Sequence, residues 1–273
     1  MKKFILPLSV LVLSVSQAWA MTGCFLVKDQ GTVIKSEGDC SSRYSPCSSF
    51  KIALALVGYD AGILKDANHP QWPFKEKYAA PLESWKHSQT PATWIQNSCV
   101  WYSQVLTSKL GMKRFQDYVN QFDYGNRDVS GDKGQNNGLT HAWLSSSLKI
   151  SPEEQAIFLE KLLANTLPVS DNAHRMTKKI IYIEDLPEGW ALYGKTGSGL
   201  LLCADRTQKL DIKHGWFIGW IEKCNKKIIF IHHIIEDTKQ PGYLGPIAKE
   251  QAKEKLLKLI QQIEHQGMNC QKT

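Results

Sequence analysis

The sequence predicts an α/β (α+β) fold: one antiparallel sheet built from both chain ends, a terminal helix packed on it, and an all-helical lobe between. Three observations carry this. Apolar segments of strand type occur near residue 25 and again from Trp190 to Ile235. The stretch between them carries mostly helical patterns. Near the C-terminus, Ala248, Ala252, Leu256, Leu259, Ile260 and Ile263 put an apolar stripe on one face of a last helix. With strands at both ends, the simplest closed arrangement pairs the N-terminal strands with the C-terminal ones. A site then falls in the cleft between the sheet and the helices.

The elements follow in chain order. Met1-Lys2-Lys3, the apolar run Phe4 to Val15 and Ala18-Trp19-Ala20 have the layout of a secretory signal peptide over residues 1–20. The run is too short to span a bilayer as a helix. Cys24–Val27 and Thr32–Ile34 flank Lys28-Asp-Gln-Gly31 as a β-hairpin. A buried helix starts at Ser48 and ends between Gly58 and Gly62, and Asn68 to Thr93 reads as extended surface loops. Ser98 lies in a loop before helical patterns at Val105–Leu110 and Phe115–Phe122. The turn Tyr124-Gly-Asn126 follows, then a long loop from Ser130 to Thr140, a candidate for function by its length.

Ser151-Pro-Glu-Glu154 is a helix start: Ser151 caps, Pro152 takes the first position and Glu154 the third. That makes Glu153 and Glu154 structural rather than a catalytic acid pair. Trp190–Tyr193, Gly215–Ile221 and Lys227–Ile235 read as strands, the last two joined by the tight connection Glu222 to Lys226. Pro246 opens the last helix and Gly267 is placed to cap it.

Composition excludes several classes. The formal charge is +7, two units of which are Lys2 and Lys3, and the other lysines are spread among acids. No basic stripe interleaved with aromatics is present, so nucleic-acid binding has no support. There is no Cys-x-x-Cys, His-x-His or His-Glu-x-x-His, so no metal site is expected. His232-His233 should point to opposite faces of a strand. Seven cysteines leave at least one thiol free. Cys24 and Cys40 flank the hairpin and could pair, although their spacing does not set them opposite each other.

Chemistry concentrates at Pro46-Cys-Ser-Ser-Phe-Lys51. A helix places Ser48 and Lys51 on one face, and the apolar run Ile52 to Val57 buries that helix. A buried lysine loses its proton easily, and beside a serine it becomes a base beside a nucleophile. Ser-x-x-Lys alone is a weak signal, expected about once by chance in a chain of this length. A second copy exists at Ser146-x-x-Lys149, with Ser170-Asp-Asn172 further on. Ser146, however, lies just before the Ser151 cap and cannot begin a long buried helix. The intervals from Ser146 to Lys195 also leave no room for a helical lobe carrying a middle serine. Ser170 is read as a cap or turn residue.

Ser48-x-x-Lys51, Ser98-x-Val100 and Lys195-Thr-Gly197 then stand in order. With Phe50, Tyr124-Gly-Asn126, Trp143-Leu144, Ile150-Ser-Pro152 and Gly215-Trp-Phe-x-Gly-Trp220, the chain resembles the class D (oxacillinase-type) serine β-lactamases along nearly its whole length beyond residue 20. The resemblance implies a β-lactamase/transpeptidase-like catalytic domain over 21–273, with a sheet lobe at about 21–45 and 188–268 and a helical lobe at about 46–187. It implies that Ser48 is acylated by the β-lactam and that backbone N–H groups of Ser48 and Ser198 form the oxyanion hole. Ser98 would relay the proton to the leaving nitrogen, Lys195 would help shuttle that proton, and Lys195 and Thr196 would hold the substrate carboxylate beside Gly197. No glutamate lies between Tyr124 and Trp143 to serve as a deacylating base. The family alternative is Lys51 carboxylated by CO2, in a dry pocket lined by Val100, Leu144 and Phe50, with the Trp143 indole donating to the carbamate.

One departure concerns the substrate carboxylate. Many members offer an arginine after the last strand, and from Phe230 to Thr273 this chain has none, leaving Lys249 and Arg206 as candidates. The resemblance implies a secreted, periplasmic bacterial enzyme that confers β-lactam resistance, with no cofactor beyond that CO2, a β-lactam as its small-molecule partner, and no stable membrane insertion. The rival readings are a penicillin-sensing domain and a small D,D-peptidase, both acylated without rapid turnover, and a secreted binding domain with coincidental motifs.

Overall fold

The computed structural model describes residues 22–203, 205, 207–236 and 242–266. Its strands are β1 (Thr22–Asp29), β2 (Thr32–Gly38), β3 (Tyr182–Leu186), β4 (Trp190–Leu202), β5 (Lys209–Lys223) and β6 (Lys226–Glu236). They form one antiparallel sheet in the order β2-β1-β6-β5-β4-β3. The N-terminal hairpin thus pairs with the last strand, Phe25 opposite His232, and a single sheet joins both chain ends. Its outermost strand β2 is exposed throughout and carries Lys35 and Glu37, charges that discourage another strand from adding there.

The helices are α1 (Lys51–Asp60), α2 (Pro91–Gln96), α3 (Val100–Leu110), α4 (Met112–Gln121), α5 (Gly138–His141), α6 (Pro152–Leu163), α7 (Asp171–Ile180) and α8 (Leu244–His265). The first seven fill the middle of the chain, and α8 packs on β4, β5 and β6. Alternation along β5 separates two cores. Trp216, Ile218 and Trp220 face the helical side with Phe50, Trp94, Trp101, Phe115 and Trp143. Phe217 and Ile221 face α8, with Phe230, Ala252 and Leu256. Burying such a side chain stabilises by roughly 1.5–3 kcal/mol, so these two layers clamp the sheet from both faces.

Local signals explain the ends of elements. Ser151 Oγ accepts from Glu154 N–H at 3.2 Å while Glu154 Oε2 accepts from Ser151 N–H at 2.9 Å, and Glu154 also pairs with Arg43. Ser170, the serine of the decoy triplet, caps α7 by accepting from Ala173 N–H. Two elements go beyond the sequence reading. The polar segment around α7 is helical, and β3 adds an edge strand from residues assigned by sequence to the helical lobe. Cys24 and Cys40 are disulfide-bonded: the chain turns back after Gly38, and Asp39 N–H donates to Gly23 O at 3.0 Å, bringing Cys40 to the strand it left. Cys224 is also in a disulfide, and Cys47, Cys99 and Cys203 are free thiols. Residues 1–20, Arg206 and Gly267 lie outside the described residues.

Candidate active site

Ser48 does not sit on the α-helix itself. It lies in a 3-10 turn, Cys47–Phe50, whose last bonds run into Lys51, the first residue of α1. The spacing still brings the two side chains together: Lys51 Nζ lies 2.9 Å from Ser48 Oγ. Lys51 is fully buried, and burial lowers its pKa from 10.5 to about 7, with the thiols of Cys99 and Cys47 acting weakly the other way. Near neutral pH much of its amine is therefore unprotonated and able to accept a proton from Ser48.

The serine turn is braced from behind. Ser49 Oγ donates to Pro46 O at 2.7 Å and accepts from Gln155 Nε2 at 3.2 Å, and Tyr124 Oη donates to Gln155 Oε1 at 3.2 Å. Asn126, in the same Tyr-Gly-Asn turn, bonds Ser147 O and Lys149 N–H at 2.8 and 2.9 Å. The turn motif thus acts as a brace, a role that its sequence did not reveal.

Ser98 occupies the turn between α2 and α3 with φ +55°, a left-handed conformation that is costly for a residue with a side chain. Trp85 holds that turn through an indole N–H donated to Asn97 O at 2.8 Å, and Trp101 N–H donates to Trp85 O at 2.9 Å. From the sheet side, β4 presents Lys195, Thr196, Gly197 and Ser198. A Cβ on Gly197 would lie 2.7 Å from Pro46 O and 3.1 Å from Ser49 N, so only glycine lets the strand come this close to the serine turn. Lys195 is buried, and its Nζ donates to Thr196 O and Oγ1, each at 3.2 Å. Burial and the charges of Lys51 and Lys249 hold its pKa well below the usual lysine range. Ser198 Oγ accepts from Gly245 N–H at 2.8 Å, tying β4 to the start of α8.

Ser48, Ser98, Val100, Leu144, Thr196, Gly197 and Ser198 meet around one cavity of about 220 Å3. Leu82, Trp85, Tyr243 and Pro246 complete its walls. Those four were not singled out by sequence, because they sit in loops and at a helix start without motif spacing. Trp143 is wholly buried against Phe50 and Phe115, and its indole N–H has no hydrogen-bond partner. A buried donor without an acceptor costs about 1–3 kcal/mol, so a group that could accept from it would be stabilised here.

A second polar network joins the serine turn to β4. Ser45 Oγ donates to Trp143 O at 2.8 Å and accepts from Ser145 N–H at 3.0 Å, while Ser145 Oγ accepts from Leu200 N–H at 2.9 Å. Cys47 lies beneath, 3.7 Å from His214 Nε2, and His214 Nδ1 is 3.1 Å from His233 Nε2. His232 points the other way, to Gln251 of α8 at 3.1 Å. The decoy Ser146 is buried in a bend near Asp132, not at the start of a helix. The loop from Ser130 to Thr140 is folded on itself, with Asn137 Oδ1 accepting from Asp132 N–H, and leads into α5 and Trp143 rather than lining the cavity. Among the described residues, no group of three or more His, Cys, Asp or Glu is placed to hold a metal ion.

A serine-lysine pair beside a cleft between sheet and helices fits the serine hydrolases, and comparison with known proteins agrees. The penicillin binding protein transpeptidase domain matches residues 26–256. The beta-lactamase OXA-9 of Klebsiella pneumoniae is 45% identical over 232 residues, covering 83% of this chain and 84% of that protein. OXA-1 of Escherichia coli is 44% identical, covering 77% and 74%. The crystal structure of the class D β-lactamase OXA-427 superimposes with a TM-score of 0.84 at 45% identity, covering 88% of this chain and 99% of that one. The chain belongs to the class D serine β-lactamases, enzymes that need no metal or cofactor.

Proposed function

We propose that the protein hydrolyses β-lactam antibiotics through an ester on Ser48, with a carbamate on Lys51 as general base. The observation that carries the proposal is the fully buried Lys51 2.9 Å from Ser48, with a pKa of about 7 and an unpartnered buried indole N–H on Trp143. A neutral amine adds reversibly to CO2, forming the N–C bond of a carbamate and releasing one proton to solvent, and that carbamate would offer the buried Trp143 N–H an acceptor. The surroundings favour that product because Val100, Leu144 and Phe50 keep the pocket apolar.

In this reading the Lys51 base takes the proton of Ser48 as Oγ attacks the lactam carbonyl. The N–H groups of Ser48 and Ser198 stabilise the oxyanion, and Ser98 delivers a proton to the departing lactam nitrogen. Lys195 and Thr196 hold the ring carboxylate beside Gly197. Water, deprotonated by the Lys51 carbamate, then attacks the ester and frees Ser48. We read residues 1–20 as an export signal and residues 21–273 as one two-lobed catalytic domain in the periplasm, where the reaction would confer resistance.

The test compares two serine variants. Ser48→Ala should abolish both covalent labelling by penicillin and turnover of nitrocefin, while Ser146→Ala should leave both nearly intact. Loss of activity in a folded Ser146→Ala protein would overturn the assignment. Labelling of the parent protein at one equivalent without turnover would instead mark a penicillin sensor.

A further inference from the structure

A second and larger cavity, about 550 Å3, adjoins the one that holds Ser48. Thr196 lines both, and Ile95 and Gln96, the last residues of α2 just before the turn that holds Ser98, also line the new cavity. Three lysines line it: Lys195 from β4, Lys249 from α8 and Lys179 from the end of α7. None of the lining residues is acidic. The carboxylate that reaches this group from outside the lining is Glu184, which pairs with Lys253 at 3.0 Å and only loosely with Lys249 at 3.5 Å. Lys179 forms no ion pair among the described residues, and the buried Lys195 donates only to Thr196. Such a volume suits a small-molecule group, and Lys179, with Lys249 only partly offset by the Glu184 it shares with Lys253, gives this space a positive potential that attracts an anion.

Position says which part of a ligand would enter. In the proposed complex the lactam carbonyl lies at Ser48 and the ring carboxylate at Thr196. In that complex a group on the ring carbon next to the one bearing the carboxylate, such as the 3-substituent of a cephalosporin, would lie beside Thr196, the residue that also lines the lysine-lined cavity. We propose that this cavity is a subsite of the reaction cleft that takes the substituent beside the substrate's ring carboxylate and selects negatively charged ones. The proposal rests on the β-lactamase reading and adds to it a preference set by Lys179 and Lys249.

The test uses two cephalosporins with the same 7-position side chain, one with an uncharged 3-substituent and one with a sulfonate-bearing 3-substituent. The quantity read is the ratio of their kcat/KM values within one preparation, so a change in the folded fraction cancels. The parent protein should favour the sulfonate. In the Lys179→Gln/Lys249→Gln double variant the ratio should fall by about tenfold, mostly through KM, as expected for loss of electrostatic attraction. Added salt should lower the ratio in the parent and hardly change it in the variant. The same ratio in both proteins would overturn the subsite while leaving the hydrolase reading intact. Failure of the parent to hydrolyse either compound would overturn the hydrolase reading, and the subsite with it.

Discussion

At the scale of the residue, Lys51 is where burial becomes chemistry. An ammonium ion in this position has no carboxylate to offset its lost hydration, so the fold favours the neutral amine. The same shift makes stability depend on pH. Below about pH 7 both the folded and unfolded chains hold the proton, and the fold carries the full cost of the buried charge. Between about 7 and the ordinary value of 10.5, the unfolded chain binds more protons, so the contribution of Lys51 to stability rises with pH. Lys51→Met should therefore stabilise the protein by up to about 4 kcal/mol at pH 6 in CO2-free buffer, a gain that shrinks towards pH 10. Denaturant unfolding of parent and variant across that range measures it. A gain that stays constant with pH would show that Lys51 keeps an ordinary pKa in the fold.

At the scale of the element, the site depends on how closely β4 approaches the serine turn. Gly197 permits the contact, and Ser45 and Ser145 fasten the two pieces through Trp143 O and Leu200 N–H. Gly197→Ala would press a methyl group against Pro46 O and Ser49 N, so the strand or the turn must move by several tenths of an ångström. We expect acylation by penicillin to slow by about 100-fold, with a stability loss of roughly 1–3 kcal/mol. Stopped-flow acylation beside thermal unfolding checks this, and an unchanged acylation rate would show that the close approach is incidental. Elements with strong period or caps were legible in sequence, such as the Ser151 start of α6, the β5–β6 hairpin and the stripe of α8. The second half of β4 was not, because Gly197-Ser-Gly199 lacks the side chains that mark a strand. Helix α7 was hidden by its polar composition, and β3 by its shortness and partial exposure at the sheet edge. Within the site, Ser48 and Lys51 were legible from spacing, and Ser98 and Lys195 through the family resemblance of their motifs. The Ser45–Ser145 network and the walls formed by Leu82, Trp85, Tyr243 and Pro246 were not, since long-range contacts of ordinary residues leave no local pattern.

At the scale of the whole molecule, the pocket belongs to neither lobe alone. The helical side supplies Ser48, Lys51, Ser98 and Trp143, and the sheet supplies Lys195 to Ser198. A sheet that gathers both chain ends holds β4 at the centre of these contacts, clamped between the α8 core and the helical core. Lys51 is fully buried between the two sides, so under the proposed mechanism its carboxylation would report the integrity of the whole arrangement. The most direct measurement is nitrocefin turnover against bicarbonate concentration in degassed buffer at mildly acidic pH, paired with 13C NMR of protein given labelled bicarbonate. Activity should rise with bicarbonate and saturate, in step with a carbamate resonance that is missing from Lys51→Ala. Activity independent of bicarbonate, with no such resonance in the parent protein, would contradict a carbamate base and leave Lys51 acting as a free amine.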